Sequence, residues 1–141
     1  MFVHSLRVRF RDLDAYNHVN NAVYLTYFEE ARIAFITAIG LRDLFSPERS
    51  TVIAHAEVDY RAPALLGDLL DIEVTVGEVR NSSYELNYRI IRRIDGKLIA
   101  TGKTVQVCFN FAMNAPTRLP EAWRTLLRNG ASADAPLSNI A

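Results

Sequence analysis

The stretch RDLDAYNHVNNAVYLTYFEEAR, residues Arg11–Arg32, changes character halfway along. Its first half carries two aspartates, one histidine and three asparagines between positions 12 and 21, whereas apolar and aromatic residues recur every three or four positions from Val23 onward. This spacing predicts an amphipathic helix over residues 23–39 that ends at Gly40. Since the helix carries few charges, we expect most of its circumference to be buried, as beneath a curved sheet.

Five segments have the alternation or the composition of β-strands. The first alternates apolar residues with arginines, and the others are rich in β-branched and aromatic residues. They are residues 6–10, 52–60, 69–79, 83–94 and 97–111. Asp95-Gly96 predicts a two-residue hairpin between the last two strands. The order favours an α+β fold in which a five-stranded antiparallel sheet wraps a long central helix, followed by a short C-terminal helix over residues 121–127.

Length and composition restrict the class of protein. The 141 residues suit one domain, and sixteen basic residues balance sixteen acidic ones, which argues against nucleic acid or a membrane surface as partner. The one cysteine, Cys108, provides neither an internal disulfide nor a thiolate metal cage. The N-terminal residues resemble neither a signal peptide nor a spanning segment, so we expect a cytoplasmic protein. Residues 129–141 are small and polar and predict a flexible tail.

The polar residues before the helix have structural explanations as well as chemical ones. Asn17 suits a turn, and Asn20 or Asn21 suits the N-cap of the helix. Asp12 suits the positive end of the helix dipole. Asp14 is the stronger chemical candidate, because a carboxylate beside exposed backbone N–H groups can attack a carbonyl, or activate water to attack it.

His18 is compatible with three roles: a general base, a metal ligand and a packed loop histidine. The chain has no His-x-x-x-His spacing, no Gly-rich phosphate loop and no Gly-x-Ser-x-Gly elbow. We therefore expect no metal and no other cofactor.

The motif DLDAYNHVNNAVYLTYFEEAR, residues 12–32, resembles the signature of the 4-hydroxybenzoyl-CoA thioesterase branch of the hotdog-fold acyl-CoA thioesterases. The resemblance continues through EVDYRAPALLGD (57–68), NSSYELNYRI (81–90) and PTRLPEAWR (116–124). It implies a hotdog domain over residues 1–128, an acyl-CoA substrate, and a homodimer or homotetramer. The family often has glycine where this chain has Asn17, and some members have histidine at position 21.

The resemblance also implies a site. Asp14 is then the nucleophile or general base, the backbone N–H of Asn21 binds the thioester carbonyl, and His18 is a further catalytic candidate. Tyr24 and Tyr27 are candidates for the acyl pocket. Candidates for the coenzyme A end are Arg61, Asn81, Ser82, Ser83, Arg92 and Arg93.

Two other functions fit the same fold. A non-hydrolytic protein that binds acyl-CoA or acyl carrier protein would keep the pocket without turnover, although the presence of Asp14 argues against it. A hydratase acting on enoyl thioesters would need a different loop pattern. The sequence identifies neither the acyl group nor the carrier.

Overall fold

The computed structural model describes residues 1–132 and forms an antiparallel sheet, one long helix and one shorter helix. In chain order the elements are β1 (Phe2–Arg7), α1 (Val23–Ala38), β2 (Arg49–Tyr60), β3 (Leu69–Val79), β4 (Ser83–Arg92), β5 (Lys97–Asn110), β6 (Ala115–Pro116) and α2 (Glu121–Ser132). Short 3-10 turns lie at Phe10–Asp12 and Arg42–Leu44. The helix and the four long strands lie close to their predicted positions.

The strands pair in the order β1-β3-β4-β5-β2, all antiparallel, and the two-residue β6 pairs with β5. Alternate residues of β3 and β4, such as Ile72, Val74, Leu86 and Ile90, are fully buried. Because successive strand residues point to opposite faces, these side chains form one continuous apolar face. β2 lies at one edge of the sheet and, among the strands of residues 1–132, has a neighbour on one side only.

Helix α1 packs on this apolar face. The ring of Phe28 stacks on that of Tyr88, with centroids 4.4 Å apart and planes 13° apart. A methyl group added to Gly102 would collide with the Phe28 ring, so β5 needs glycine there to let the helix approach. Stacked rings and a glycine thus fix the height of the helix above the sheet.

The expectation that α1 is buried round most of its circumference is wrong. Leu25 is 42% exposed and Ile33 is 37% exposed. A single sheet covers only one side of a helix, so these two apolar residues are left uncovered on the opposite side.

The first strand and the last hairpin also differ from prediction. β1 ends at Arg7, and Phe10 starts a 3-10 turn, because the carboxylate of Asp12 accepts the Arg9 N–H at 3.0 Å and draws the chain out of the sheet. The connection between β4 and β5 has four residues rather than two. It is closed by the Gly96 N–H donating to Arg92 O at 2.8 Å, and Gly96 alone of the Asp95-Gly96 pair has positive φ.

Helix α2 runs five residues beyond the predicted end and so includes residues 129–132 of the predicted tail. Gly130 allows this because its backbone lies against Ile39, where an added methyl would come within 2.8 Å of the Ile39 side chain. The remainder of the predicted tail, residues 133–141, lies outside the described residues. None of the helices in residues 1–132 is long and apolar enough to cross a membrane.

Candidate active site

A polar loop, residues 12–22, connects the sheet to the start of α1. Its two ends are joined by the Asn20 N–H, which donates to Asp12 O at 2.9 Å. The Val19 N–H donates to Ala64 O at 2.9 Å, which ties the loop to the segment between β2 and β3. These backbone bonds hold the loop against the sheet independently of its polar side chains.

Asp14 shapes a tight turn within this loop. Its Oδ1 accepts the backbone N–H of Tyr16 at 2.8 Å and that of His18 at 3.3 Å. Asn17, which was predicted to suit a turn, has a φ of 64°, the left-handed conformation that asparagine tolerates better than most residues. Asp14 is half-buried, and its Oδ2 accepts no hydrogen bond from the described residues. One carboxylate oxygen is therefore held in place while the other is available for chemistry.

Asp12 has a different environment. It is 5% exposed, and its Oδ2 accepts the Tyr27 hydroxyl at 2.7 Å and the Arg9 N–H. Burial alone would raise the pKa of Asp12, but hydrogen bonds from the Arg9 backbone and the Tyr27 hydroxyl keep that pKa below its usual value. Asp12 was predicted to lie at the positive end of the helix dipole. Its carboxylate instead binds the Tyr27 hydroxyl, one turn into α1.

The start of α1 also differs from prediction. Neither Asn20 nor Asn21 is the N-cap, which is Ala22 without a side-chain cap. Instead the Asn20 side chain accepts the Ala22 N–H, and the Asn20 carbonyl accepts the Val23 N–H, both at 2.9 Å. The Asn21 N–H donates to no partner within residues 1–132. The loop thus leaves one backbone donor unpaired beside the helix start.

A cavity of about 290 Å³ opens at this helix start. Its walls are Val19, Asn21, Tyr24, Tyr60, Arg61, Ala62 and Pro63. Burial raises the pKa of the Tyr24 hydroxyl, and the negative charge of nearby Asp14 adds to the effect. Aromatic walls beside an unpaired N–H group suit an apolar group attached to a carbonyl.

Several predicted residues thus lie together at one end of the molecule: Asp14, His18, Asn21, Tyr24 and Arg61. Tyr27 does not line the cavity, because it is fully buried and its hydroxyl is bonded to Asp12. His18 is exposed, and its ring makes no hydrogen bond to the described residues. No three His, Cys, Asp or Glu side chains in residues 1–132 are grouped to hold a metal ion.

Asn81 and Ser82 lie elsewhere, in the turn between β3 and β4, and Ser83 follows them as the first residue of β4. Because the eleven residues of β3 separate this turn from the cavity end, the two groups are about 35 Å apart along the strand. The turn is rich in arginine: Arg118 donates to the Asn81 side chain at 2.9 Å, and Arg124 donates to the Asn81 carbonyl at 2.8 Å. These two arginines were not predicted as site residues, since they come from the distant α2 region.

The other predicted arginines are engaged in the fold. Arg92 pairs with Asp68 and Asp95, and its guanidinium also donates to the Pro63 carbonyl at 3.4 Å. Arg93 pairs with Asp71. Arg92 thus supports the loops at the cavity end, and Arg93 ties the β4–β5 connection to β3.

Comparison with known proteins places the chain in a family. A family model described as the thioesterase-like superfamily matches residues 8–127. A 1,4-dihydroxy-2-naphthoyl-CoA hydrolase from Synechococcus elongatus is 34% identical over 81% of this chain and 85% of its own. The long-chain acyl-CoA thioesterase FadM from Escherichia coli is 31% identical over 75% of this chain and 81% of its own.

The structural comparison agrees. The structure of a gentisyl-coenzyme A thioesterase superposes with a TM-score of 0.80 at 28% identity, covering 89% of this chain and 98% of the other. The family and the hotdog fold predicted from the sequence are therefore confirmed. This chain belongs to the thioesterase-like superfamily.

Proposed function

We propose that this protein hydrolyses acyl-CoA thioesters, with the carboxylate of Asp14 as nucleophile or general base and the backbone N–H of Asn21 binding the carbonyl oxygen. Thioester hydrolysis is the activity named for several relatives that match most of the chain. The residue roles rest on the local chemistry of the polar loop. His18, exposed beside Asp14, is a candidate to protonate the departing thiolate.

One observation carries the proposal: the polar loop leaves one Asp14 oxygen and the Asn21 N–H without a partner among the described residues. The other Asp14 oxygen is bonded to backbone N–H groups, and the carbonyl of the peptide that carries the Asn21 N–H is bonded to Val23. Attack on a thioester carbonyl places negative charge on its oxygen, and a fixed N–H group at that oxygen lowers the barrier. The nearby start of α1 adds the positive end of the helix dipole. A carboxylate and a donor left free in one loop are the two groups that this reaction requires.

We further propose that the protein acts as a homo-oligomer joined through β2. This strand is twelve residues long, one of its edges is unpaired by any strand of the described part of the chain, and Ile53 is 44% exposed along it. Exposed strand edges are sites of pairing, and two-fold antiparallel pairing of β2 with a second copy would satisfy them.

Oligomer formation also bears on the coenzyme A phosphates. The turn at Asn81–Ser83, with its flanking Arg118, offers cationic and hydroxyl donors for a phosphate. A separation of about 35 Å along β3 is longer than one coenzyme A molecule reaches. We therefore assign this turn to a thioester bound at the Asp14 loop of another subunit.

The test is a thiol-release assay with acetyl-, octanoyl-, palmitoyl- and benzoyl-CoA, which span short, long and aromatic acyl groups. We expect turnover of at least one ester by the wild-type protein and its loss in Asp14→Asn, with circular dichroism showing that the variant is folded. Tight binding of an ester without thiol release would instead identify a non-hydrolytic binding protein. Undiminished turnover in Asp14→Asn would remove Asp14 from the mechanism.

A further inference from the structure

Tyr60, the last residue of β2, is connected directly to the helix start. Its hydroxyl donates to the backbone carbonyl of Asn21 at 2.9 Å across 39 residues of sequence. Its ring lies edge-on to that of Tyr24, with centroids 5.2 Å apart, and forms part of the cavity wall. Tyr60 is 50% exposed, so neither deep burial nor core packing explains its fixed position.

The hydrogen bond from Tyr60 acts on a peptide group whose other end is also held. The Asn21 carbonyl belongs to the Asn21–Ala22 peptide, and the N–H of that peptide donates to the Asn20 side chain. On the other side of Asn21, the carbonyl of the Asn20–Asn21 peptide accepts the Val23 N–H. The Asn21 N–H lies in the Asn20–Asn21 peptide plane, and its direction is fixed because the planes on both sides of the Asn21 Cα are held.

We infer that Tyr60 is a positioning residue, which aims the Asn21 N–H by holding the Asn21 carbonyl from the edge strand. This inference rests on the function proposed above. An oxyanion donor works only when it is oriented in advance toward the developing charge. Of the three bonds that hold the peptides on either side of Asn21, only the one from Tyr60 comes from outside the polar loop and the first residue of α1, so Tyr60 fixes the donor relative to the cavity wall.

The expected effect follows from this geometry. Removing an oxyanion donor lowers kcat by about a hundred- to a thousandfold, and a donor that is misaimed rather than removed loses part of that. Tyr60→Phe keeps the ring and its contact with Tyr24 but loses the hydrogen bond. We expect kcat to fall by roughly tenfold, whereas KM stays within about twofold because the cavity wall is unchanged.

Tyr88→Phe is the matched control. It also removes one tyrosine hydroxyl, which is bonded to Thr104 at 2.7 Å, but in the core beneath α1. We expect it to lower the melting temperature and leave kcat unchanged. A second measurement is independent of turnover: the backbone amide resonance of Asn21 should move in Tyr60→Phe and stay in place in Tyr88→Phe.

The outcomes separate the two hypotheses. If the wild-type protein released no thiol from any ester, the proposed function would fail, and the role of Tyr60 with it. If Asp14→Asn abolished turnover while Tyr60→Phe kept the wild-type kcat, the role of Tyr60 alone would fail. A Tyr60→Phe variant with raised KM, unchanged kcat and an unmoved Asn21 resonance would likewise show that Tyr60 only shapes the cavity.

Discussion

The two aspartates of the polar loop are separated by a single residue but have opposite environments. Asp12 is buried and uses one oxygen to hold both the Tyr27 hydroxyl and the Arg9 N–H. Asp14 is half-buried, shapes a turn with one oxygen and leaves the other unpaired. The Asp12 carboxylate is used by the fold, whereas the Asp14 carboxylate keeps one oxygen unpaired. Replacing Asp12 should therefore affect stability, and replacing Asp14 should affect activity.

Replacing Asp14 should have the largest effect on activity and is the strongest test of the difference between the two aspartates. Asp14→Asn keeps the size of the side chain and its ability to accept the Tyr16 N–H but removes the charge and the basic oxygen. We expect thiol release to fall by about a hundredfold or more, since acid–base assistance alone contributes that much. The melting temperature should change little. A large loss of stability with turnover retained would reverse the roles of the two residues.

Replacement of Asp12 should have the opposite signature. Asp12→Asn leaves the buried Tyr27 hydroxyl and Arg9 N–H with a neutral acceptor, and hydrogen bonds to a charged group contribute about 1.5–3 kcal/mol. We expect the free energy of unfolding to fall by about 2 kcal/mol, measured by urea denaturation at a fixed protein concentration.

Tyr27→Phe serves as the control for that variant, because it removes the same bond from the other side. Its loss of stability should resemble that of Asp12→Asn, and the double variant should lose less than the sum of the two, because the residues share one bond. Full additivity would contradict the contact between Asp12 and Tyr27 as the source of the stability.

The different environments of Asp12 and Asp14 could be predicted only in part from the sequence. Helical spacing and strand composition located α1 and the long strands, and the loop motif pointed to Asp14. The partner of Asp12 lies fifteen residues away on a helix, and that contact depends on how the helix packs on the sheet. A second bond to the same Asp12 oxygen, from the Arg9 N–H, ends β1 early, which is why the alternation of arginines misplaced the first strand.

Tyr60 illustrates a second limit. Its hydrogen bond to Asn21 joins the end of an edge strand to the start of a helix, and no local pattern connects these positions. The only sequence signal was the position of Tyr60 at the end of a strand, directly before the Arg61-Ala62-Pro63 turn. The conformation of Asn17, by contrast, was predictable because few residues tolerate a left-handed backbone.

The pH dependence of stability offers a finer test of Asp12. The pKa of Asp12 is lowered in the folded protein from a reference value of 3.8, so its contribution is present above that value and is lost as pH falls through the folded pKa. The stability difference between wild type and Asp12→Asn should therefore be constant from about pH 5 to 8 and shrink below about pH 4. A difference that persisted at the lowest pH would mean that packing, not charge, explains the effect of Asp12→Asn.

The smallest expected effect concerns the turn that holds Asp14. Asn17 adopts a φ of 64°, which glycine tolerates freely and alanine at a cost of about 1 kcal/mol. Asn17→Gly should therefore keep both stability and kcat, whereas Asn17→Ala should lose about 1 kcal/mol and lower kcat modestly by shifting the Asp14 turn. Urea denaturation and thiol release measure the two quantities on the same samples. If Asn17→Ala lost stability but kept full kcat, the turn would matter to the fold alone, and the Asp14 oxygen would owe its position to the Tyr16 and His18 amides rather than to the left-handed residue between them.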